Sequence, residues 1–369
     1  MESHLEALCQ QLCNRVDLEV LVSNTTAKTQ SESLDGVRLT RVGRVANVAS
    51  TPFCPAIVSE IRRRRADLIH FHWPNPAAAL ALLASRFQGR LIVTYHSDIV
   101  RQKMLGTICA PIQNSLLSRA QAIIATSPNY IASSAVLRRF ASRCKVIPLG
   151  VAESCFAAPS LDGVTQIRRQ YGEKLILSVG RLVYYKGFEY LIRAMSSVNG
   201  RLLIAGNGPL ETSLRQLRDD LGLKDRVIFL GNPSDDYLRA CYHAADVFAL
   251  ASIARSEAFG IVQLEAMAAG TPVVNTNLAT GVPFVSRDGE TGLTVEPKNA
   301  DMLAEAIRTL LENETRRREL GAAARERAQT EFSVRGMSDK TLELYARVLR
   351  GERIEPEPES LVQPVATAR

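Results

Sequence analysis

Glu257 and Glu265 lie eight residues apart in the segment Ser256-Glu257-Ala258-Phe259-Gly260-Ile261-Val262-Gln263-Leu264-Glu265-Ala266-Met267-Ala268-Ala269-Gly270-Thr271-Pro272. From Ile261 to Ala269 the pattern is helical and apolar on nearly every face, which predicts a buried helix. A carboxylate inside such a helix is costly unless a polar partner meets it, so Glu265 needs a ligand or a hydrogen-bond donor. Glu257 falls in the loop that feeds the same helix. Free backbone N–H groups and the positive end of the helix dipole gather there, a setting suited to a phosphate. Two carboxylates flanking that setting can accept hydrogen bonds from sugar and ribose hydroxyls. Taken alone, Glu265 has a purely structural reading; the segment as a whole argues for a ligand.

A second constellation is Ser178-Val179-Gly180-Arg181-Leu182-Val183-Tyr184-Tyr185-Lys186-Gly187. A predicted strand ends at Gly180, and the cations Arg181 and Lys186 follow five residues apart. Open α/β sheets bind ligands at the C-terminal ends of their strands. An arginine fork and a lysine point charge together suit a diphosphate. On spacing alone, two surface cations in a loop are an equal alternative. Asn207 and Gly208 echo a dinucleotide fingerprint, but no G-x-G-x-x-G follows, so nicotinamide binding is not expected.

The elements that must position these residues alternate between strand and helix along the chain, the pattern of parallel sheets flanked by helices. Strands are predicted at Leu18–Val22, Leu68–His72, Arg90–Tyr95, Ala122–Ala125, Lys145–Pro148, Leu175–Val179, Arg201–Ala205, Val227–Leu230, Val247–Ala249 and Pro272–Asn275. Helical patterns include an amphipathic Met1–Leu12, then Pro209–Leu221, Asp235–Ala244, Ala300–Asn313 and Thr315–Glu331. A length of 369 residues suits two domains. The break is placed after Ile147-Pro148-Leu149-Gly150-Val151, giving domains 1–150 and 151–331. A helix at 332–350 returns to the first domain, and residues 351–369 are expected to be disordered for want of large apolar side chains.

Seven scattered cysteines without a C-x-x-C pair suit reduced thiols in a cytosolic protein. No window approaches the roughly 18 apolar residues of a membrane span. The charge is uneven: residues 1–150 carry 18 Lys and Arg against 9 Asp and Glu. That excess points to an anionic partner, either a lipid-diphosphate acceptor or the anionic inner face of a cell membrane met peripherally. A solvated basic surface is the equal alternative. Nucleic acid is not expected, because the Arg62–Arg65 run has no interleaved aromatic residues.

These two motifs, together with Ala205-Gly206-Asn207-Gly208-Pro209, Ala244-Ala245-Asp246-Val247-Phe248 and Asp288-Gly289-Glu290-Thr291-Gly292-Leu293, resemble family 4 of the retaining glycosyltransferases. In the first half, Asp67-Leu68-Ile69-His70-Phe71-His72, Thr94-Tyr95-His96-Ser97-Asp98 and Ile147-Pro148-Leu149-Gly150-Val151 are similar to the same pattern. The resemblance runs from Met1 to about Leu349. It implies the GT-B fold, two Rossmann-like domains whose parallel sheets face a central cleft. It also implies a nucleoside-diphosphate sugar donor and a saccharide or polyprenyl-diphosphate-linked acceptor. Arg181 and Lys186 would hold the donor diphosphate, Glu257 the transferred sugar and Glu265 the ribose. Gly206 and the backbone of Phe259, Gly260 and Ile261 would line the donor. His96 would meet donor sugar or acceptor; His72 is divided between cleft and core, and His70 and His243 are taken as structural.

The chain has no Asp-x-Asp, the usual metal clamp on a sugar-nucleotide diphosphate. Arg181, Lys186 and the helix N-terminus would then neutralise the leaving group, with no metal and no cofactor. No third carboxylate is placed as a nucleophile, which favours front-face transfer with retention. GDP-mannose is the preferred donor by general similarity, with UDP- and dTDP-sugars open. The family's first strand and Gly-Gly loop precede a segment that Met1-Glu2-Ser3-His4 matches only from its third position, so the expectation is a chain lacking both. A non-catalytic remnant and a sugar-nucleotide epimerase of the same architecture therefore stay open beside the transferase.

Overall fold

Short apolar strands followed by amphipathic helices fold into successive β-α units, and the two halves of the chain use that pattern differently. The computed structural model describes residues 2–48, 51–98, 103–157, 159 and 161–355. The chain divides between Pro148 and Leu149. One unit runs up to Pro148 and takes up the chain again at Val334; the other is Leu149–Ser333.

In the first unit the strands are β1 (Glu19–Ser23), β2 (Gln30–Leu34), β3 (Val37–Val42), β4 (Ala46–Val48), β5 (Thr51–Phe53), β6 (Leu68–Trp73), β7 (Arg90–Tyr95), β8 (Ala122–Ala125) and β9 (Cys144–Val146). The last four form a parallel sheet in the order β6-β7-β8-β9. A separate sheet has the order β1-β3-β2, with β1 parallel and β2 antiparallel to β3, and β4 pairs antiparallel with β5. Among the described residues no ladder joins β1 to β6. Every residue of β8 and all but the first of β7 are buried, whereas β1 and most of β6 are only partly covered.

The antiparallel pairs correct the expectation of a wholly parallel alternation. Asp35 (φ 49°) and Gly36 (φ 83°) make the two-residue reversal between β2 and β3, where positive φ at both positions matches the twist of a hairpin. Strand β2 has every residue exposed, so it carries no apolar alternation to announce it.

Helix Glu2–Leu12 buries His4, Leu8 and Leu12 at a spacing of four, one face of the helix. Leu8 and Leu12 form one apolar cluster with Ile92, Ile124 and the inner face of helix Val334–Leu349. Ile354 is buried in this cluster too, which corrects the expected tail: the chain stays packed through its first large apolar side chain after the helix. The rest of that tail, 356–369, lies outside the described residues. The Arg62–Arg65 run is largely consumed internally. Arg62 donates to the carbonyls of Ala84 and Ser85, Arg63 pairs with Glu60, and Arg64 bridges Glu19 and Glu60.

The second unit has one parallel sheet: β10 (Leu175–Val179), β11 (Arg201–Ala205), β12 (Val227–Gly231), β13 (Val247–Ala249), β14 (Val273–Thr276) and β15 (Gly292–Val295), in the order β12-β11-β10-β13-β14-β15. The chain builds outward from β10 on one side, then returns to its other side and builds outward again. Helices Phe188–Ala194, Glu211–Asp220 and Ala300–Glu312 cover one face. Helices Leu161–Tyr171, Asp235–Ala244, Val262–Ala268 and Glu314–Glu331 cover the other. No helix among the described residues is long and apolar enough to cross a membrane.

Helix Glu314–Glu331 lies so close to the turn after helix Val262–Ala268 that a Cβ on Gly321 would sit 2.2 Å from the Gly270 carbonyl oxygen. Alanine there gains about 1 kcal/mol of helix propensity. Against that stands overpacking at a backbone contact that cannot rotate away, typically about 1–3 kcal/mol. Gly321→Ala is therefore expected to lower the thermal midpoint of the second unit; an unchanged or raised midpoint by calorimetry would show that the helix shifts freely.

Candidate active site

Reversal of strand order between β10 and β13 opens a crevice at their C-terminal ends, where such sheets take ligands. The loop after β10 carries Arg181 and Lys186, and the loop after β13 carries Glu257. The Ile253 N–H donates to the Tyr185 carbonyl (2.8 Å), and the hydroxyls of Tyr184 and Ser256 meet at 3.4 Å. Between these ties Lys186 Nζ lies 2.5 Å from Glu257 Oε2, both side chains about nine-tenths covered. The Ser252 hydroxyl donates to the same oxygen at 3.0 Å. A pair this enclosed costs about 3–5 kcal/mol to break by removing one member, because the other is left charged and unpaired. Arg181 is exposed and makes no ion pair among the described residues.

Gly206, taken above as a donor-lining residue, has a packing role in the structure. Its φ is 128°, and a Cβ there would lie 2.2 Å from the Gly180 carbonyl oxygen. The Gly180 N–H donates to Ala205 O and the Leu182 N–H to Asn207 O, so Gly206 sets the path of the loop that bears Arg181.

Phe259 is buried in the core with its ring against Phe332, which leaves only its backbone for a ligand. Gly260 has φ 74° and starts helix Val262–Ala268 by way of Ile261. Buried Gln263 donates to the Phe259 carbonyl (3.1 Å) and accepts from Asn275 (2.9 Å), which fixes this turn from beneath. The N–H groups of Phe259 and Gly260 have no acceptor among the described residues.

Glu265 is partly exposed, and its partner inside the protein is Tyr242, whose hydroxyl donates to Oε2 at 2.6 Å. Burial raises the Glu265 carboxyl above its ordinary range; Tyr242 and Lys186 pull it down and Asp235 pushes it up. Tyr242 and Ser252 were not legible as site residues. Tyr242 occupies the apolar face of an amphipathic helix, where a tyrosine reads as core. Ser252 follows the C-terminal end of β13, and that position was the available signal.

His96 belongs to the first unit, immediately after β7. Its Nε2 lies 3.0 Å from His72 Nδ1, and the rings stack at 5.3 Å. His4 completes the group, with ring centroids 5.4 Å from His96 and 5.9 Å from His72. Burial depresses all three, His4 to about 4, His96 to about 3 and His72 well below the ordinary value, so each is a neutral imidazole. His70 is structural: Nδ1 meets Tyr345 Oη and Nε2 meets Thr94 Oγ1, both at 2.6 Å. His4 had not been singled out; its signal was a histidine continuing the buried Leu8–Leu12 stripe.

Two units, one with a doubly wound sheet whose switch point joins a cation loop to a carboxylate loop, have the GT-B architecture, and the relatives of this chain make it a glycosyltransferase. Residues 165–327 match the family described as Glycosyl transferases group 1, and residues 1–154 match Glycosyltransferase Family 4. The chain belongs to this family. It is 32% identical over 307 residues to an O-antigen chain mannosyltransferase of Escherichia coli, covering 83% of this chain and 82% of the relative. It is 34% identical over 311 residues to a GDP-mannose-dependent phosphatidylinositol monomannoside mannosyltransferase of Mycobacterium tuberculosis, covering 77% and 78%. A solved sucrose-phosphate synthase from Thermosynechococcus elongatus superposes with a TM-score of 0.80 at 26% identity, over 95% of this chain and 94% of that one.

Removing the Tyr242 hydroxyl takes away a hydrogen bond that favours ionised Glu265. In Tyr242→Phe the Glu265 carboxyl should titrate at higher pH than in the parent, read from its ¹³C resonance. An unchanged or lower titration point would mean that Tyr242 does not stabilise the charge.

Proposed function

We propose that this glycosyltransferase moves a hexose, mannose in first preference, from a nucleoside-diphosphate sugar to a saccharide or polyprenyl-diphosphate-linked acceptor with retention of configuration. The observation that carries the proposal is the buried Lys186–Glu257 pair at the sheet's switch point. It sets a cation suited to phosphate beside a carboxylate suited to hydroxyls, in direct contact that a sugar phosphate would replace. The name of the GDP-mannose-dependent relative supports the donor class.

On this reading Arg181 and Lys186 take the diphosphate and the free N–H groups of Phe259 and Gly260 add fixed dipoles. Glu257 turns to the sugar hydroxyls, and Glu265 accepts from the ribose through the oxygen that Tyr242 leaves available. His96 contacts the sugar or the acceptor. The anomeric carbon–phosphate oxygen bond breaks as the acceptor oxygen bonds to the same face. The acceptor's proton passes to the departing phosphate oxygen, so no protein nucleophile is needed. Preorganised positive charge lowers the barrier because the charge it stabilises develops in the transition state. The basic excess of the first 150 residues supports an acceptor presented at an anionic surface, met peripherally.

The test of the site separates its parts. Lys186→Ala and Arg181→Ala should each reduce turnover by roughly 10²–10³. Glu257→Gln should abolish sugar transfer while leaving binding of the bare nucleoside diphosphate intact or tighter, since Lys186 is released. Glu265→Gln should weaken nucleotide binding itself. Calorimetry on both ligands distinguishes these outcomes, and variants that bind and turn over like the parent would place the site elsewhere.

Chemistry without a metal clamp has its own signature. Turnover should persist in EDTA, and the NMR coupling of the new linkage should report the donor's anomeric configuration. An inverted product, or activity abolished by chelation and restored by magnesium, would overturn the mechanism.

A further inference from the structure

The first unit brings together three imidazoles of which the proposed transfer needs only one. His72 and His96 stand at the C-terminal ends of neighbouring parallel strands, and His4 reaches them from the buried face of helix Glu2–Leu12. One nitrogen from each lies within 4.8 Å of the other two. Tetrahedral zinc, with Zn–N near 2.0–2.1 Å, holds its nitrogens roughly 3.3–3.4 Å apart; the 3.0 Å between His72 Nδ1 and His96 Nε2 is already near that value. His4 Nδ1 is buried and has no hydrogen-bond partner among the described residues, an arrangement that calls for an occupant. His70 backs the group. Both its nitrogens are engaged, by Tyr345 and Thr94, and its ring packs 4.4 Å from His72, so it buttresses the set and is not a fourth ligand.

We propose that His4, His72 and His96 form a binding site for a borderline divalent ion of the zinc type. Imidazole nitrogens suit zinc, cobalt, nickel and copper, whereas magnesium and calcium call for oxygen ligands. Three protein ligands leave one position of a tetrahedral ion for water or an anion. An ion held there takes His96, so the site inhibits transfer; that consequence rests on the role proposed for His96, while the binding does not.

Cobalt(II) is the probe, since its visible absorption reports a low-coordinate site. The intact chain should show an absorption band that saturates at one ion per chain and is abolished by zinc. His4→Ala and His72→Gln should weaken apparent affinity by at least about 10–100-fold, more than the loss of an outer-shell partner would. His243→Ala, in the second unit, should leave the band unchanged. In the parent, histidine-selective ¹⁵N labelling should show zinc shifting the His4, His72 and His96 resonances with His243 unmoved, a readout that does not depend on any variant folding. Absence of a saturable band, a thiolate charge-transfer band from Cys9 or Cys13, or full affinity in folded His4 and His72 variants would overturn the site. Cobalt binding with these signatures but no inhibition by zinc would leave the site standing and remove His96 from the transfer.

Discussion

The pairing of β10 with β13 is the constraint on which the second unit depends. Asp246 secures it: its backbone N–H donates to Leu175 O, and its carboxylate accepts from Leu175 N–H at 2.9 Å while lying 3.2 Å from Arg168 and 3.6 Å from Arg317. One buried carboxylate thus ties the start of both strands to two helices that cover the same face, Leu161–Tyr171 and Glu314–Glu331. Parallel strands joined through helices all point their C-terminal ends the same way, so the loops after β10 and β13 are forced to be neighbours. The meeting of Lys186 with Glu257, 71 positions further along the chain, follows from that register.

Much of this was legible because strong local patterns coincide with strong tertiary demands. Strands β7, β8, β10, β11 and β13 fall where largely apolar runs of three to six residues predict them, and the helix bearing Glu265 is buried as its apolar faces require. What escaped was set by chemistry other than hydrophobicity. Strand β2 is polar and exposed, and its one signal was the Asp35-Gly36 turn. Strand β15 contains Gly292, whose missing Cβ would sit 2.0 Å from Val273 O; a glycine demanded by close approach weakens the strand pattern it serves. Gly206, expected to line the donor, has a second reason to be glycine that the sequence did not show, its close approach to the backbone of Gly180.

The two units differ in how they hold their polar groups. In the second, carboxylates are matched by donors: Asp246 by Leu175 and two arginines, Glu257 by Lys186 and Ser252, Glu265 by Tyr242. In the first, the grouped histidines face one another and are uncharged because burial, and after it the neighbouring imidazoles and the amino terminus, disfavour a proton on them. As proposed, the histidine group would take a metal ion or neutral hydroxyls, and the switch-point site of the second unit a ligand that is anionic at one end.

The Lys186–Glu257 contact has a last consequence, for discrimination. A bare phosphate that draws Lys186 away strands Glu257, buried and unaccompanied, and a bare sugar strands Lys186 in the same way. With those proposed roles, either half-ligand would bear a penalty of at most about 3–5 kcal/mol, a factor of up to several thousands in affinity. A molecule carrying phosphate and hydroxyls on one frame satisfies both side chains at once and escapes it. With the roles proposed for these two side chains, the pair would act as a logical conjunction, favouring the joined molecule over either of its separate parts.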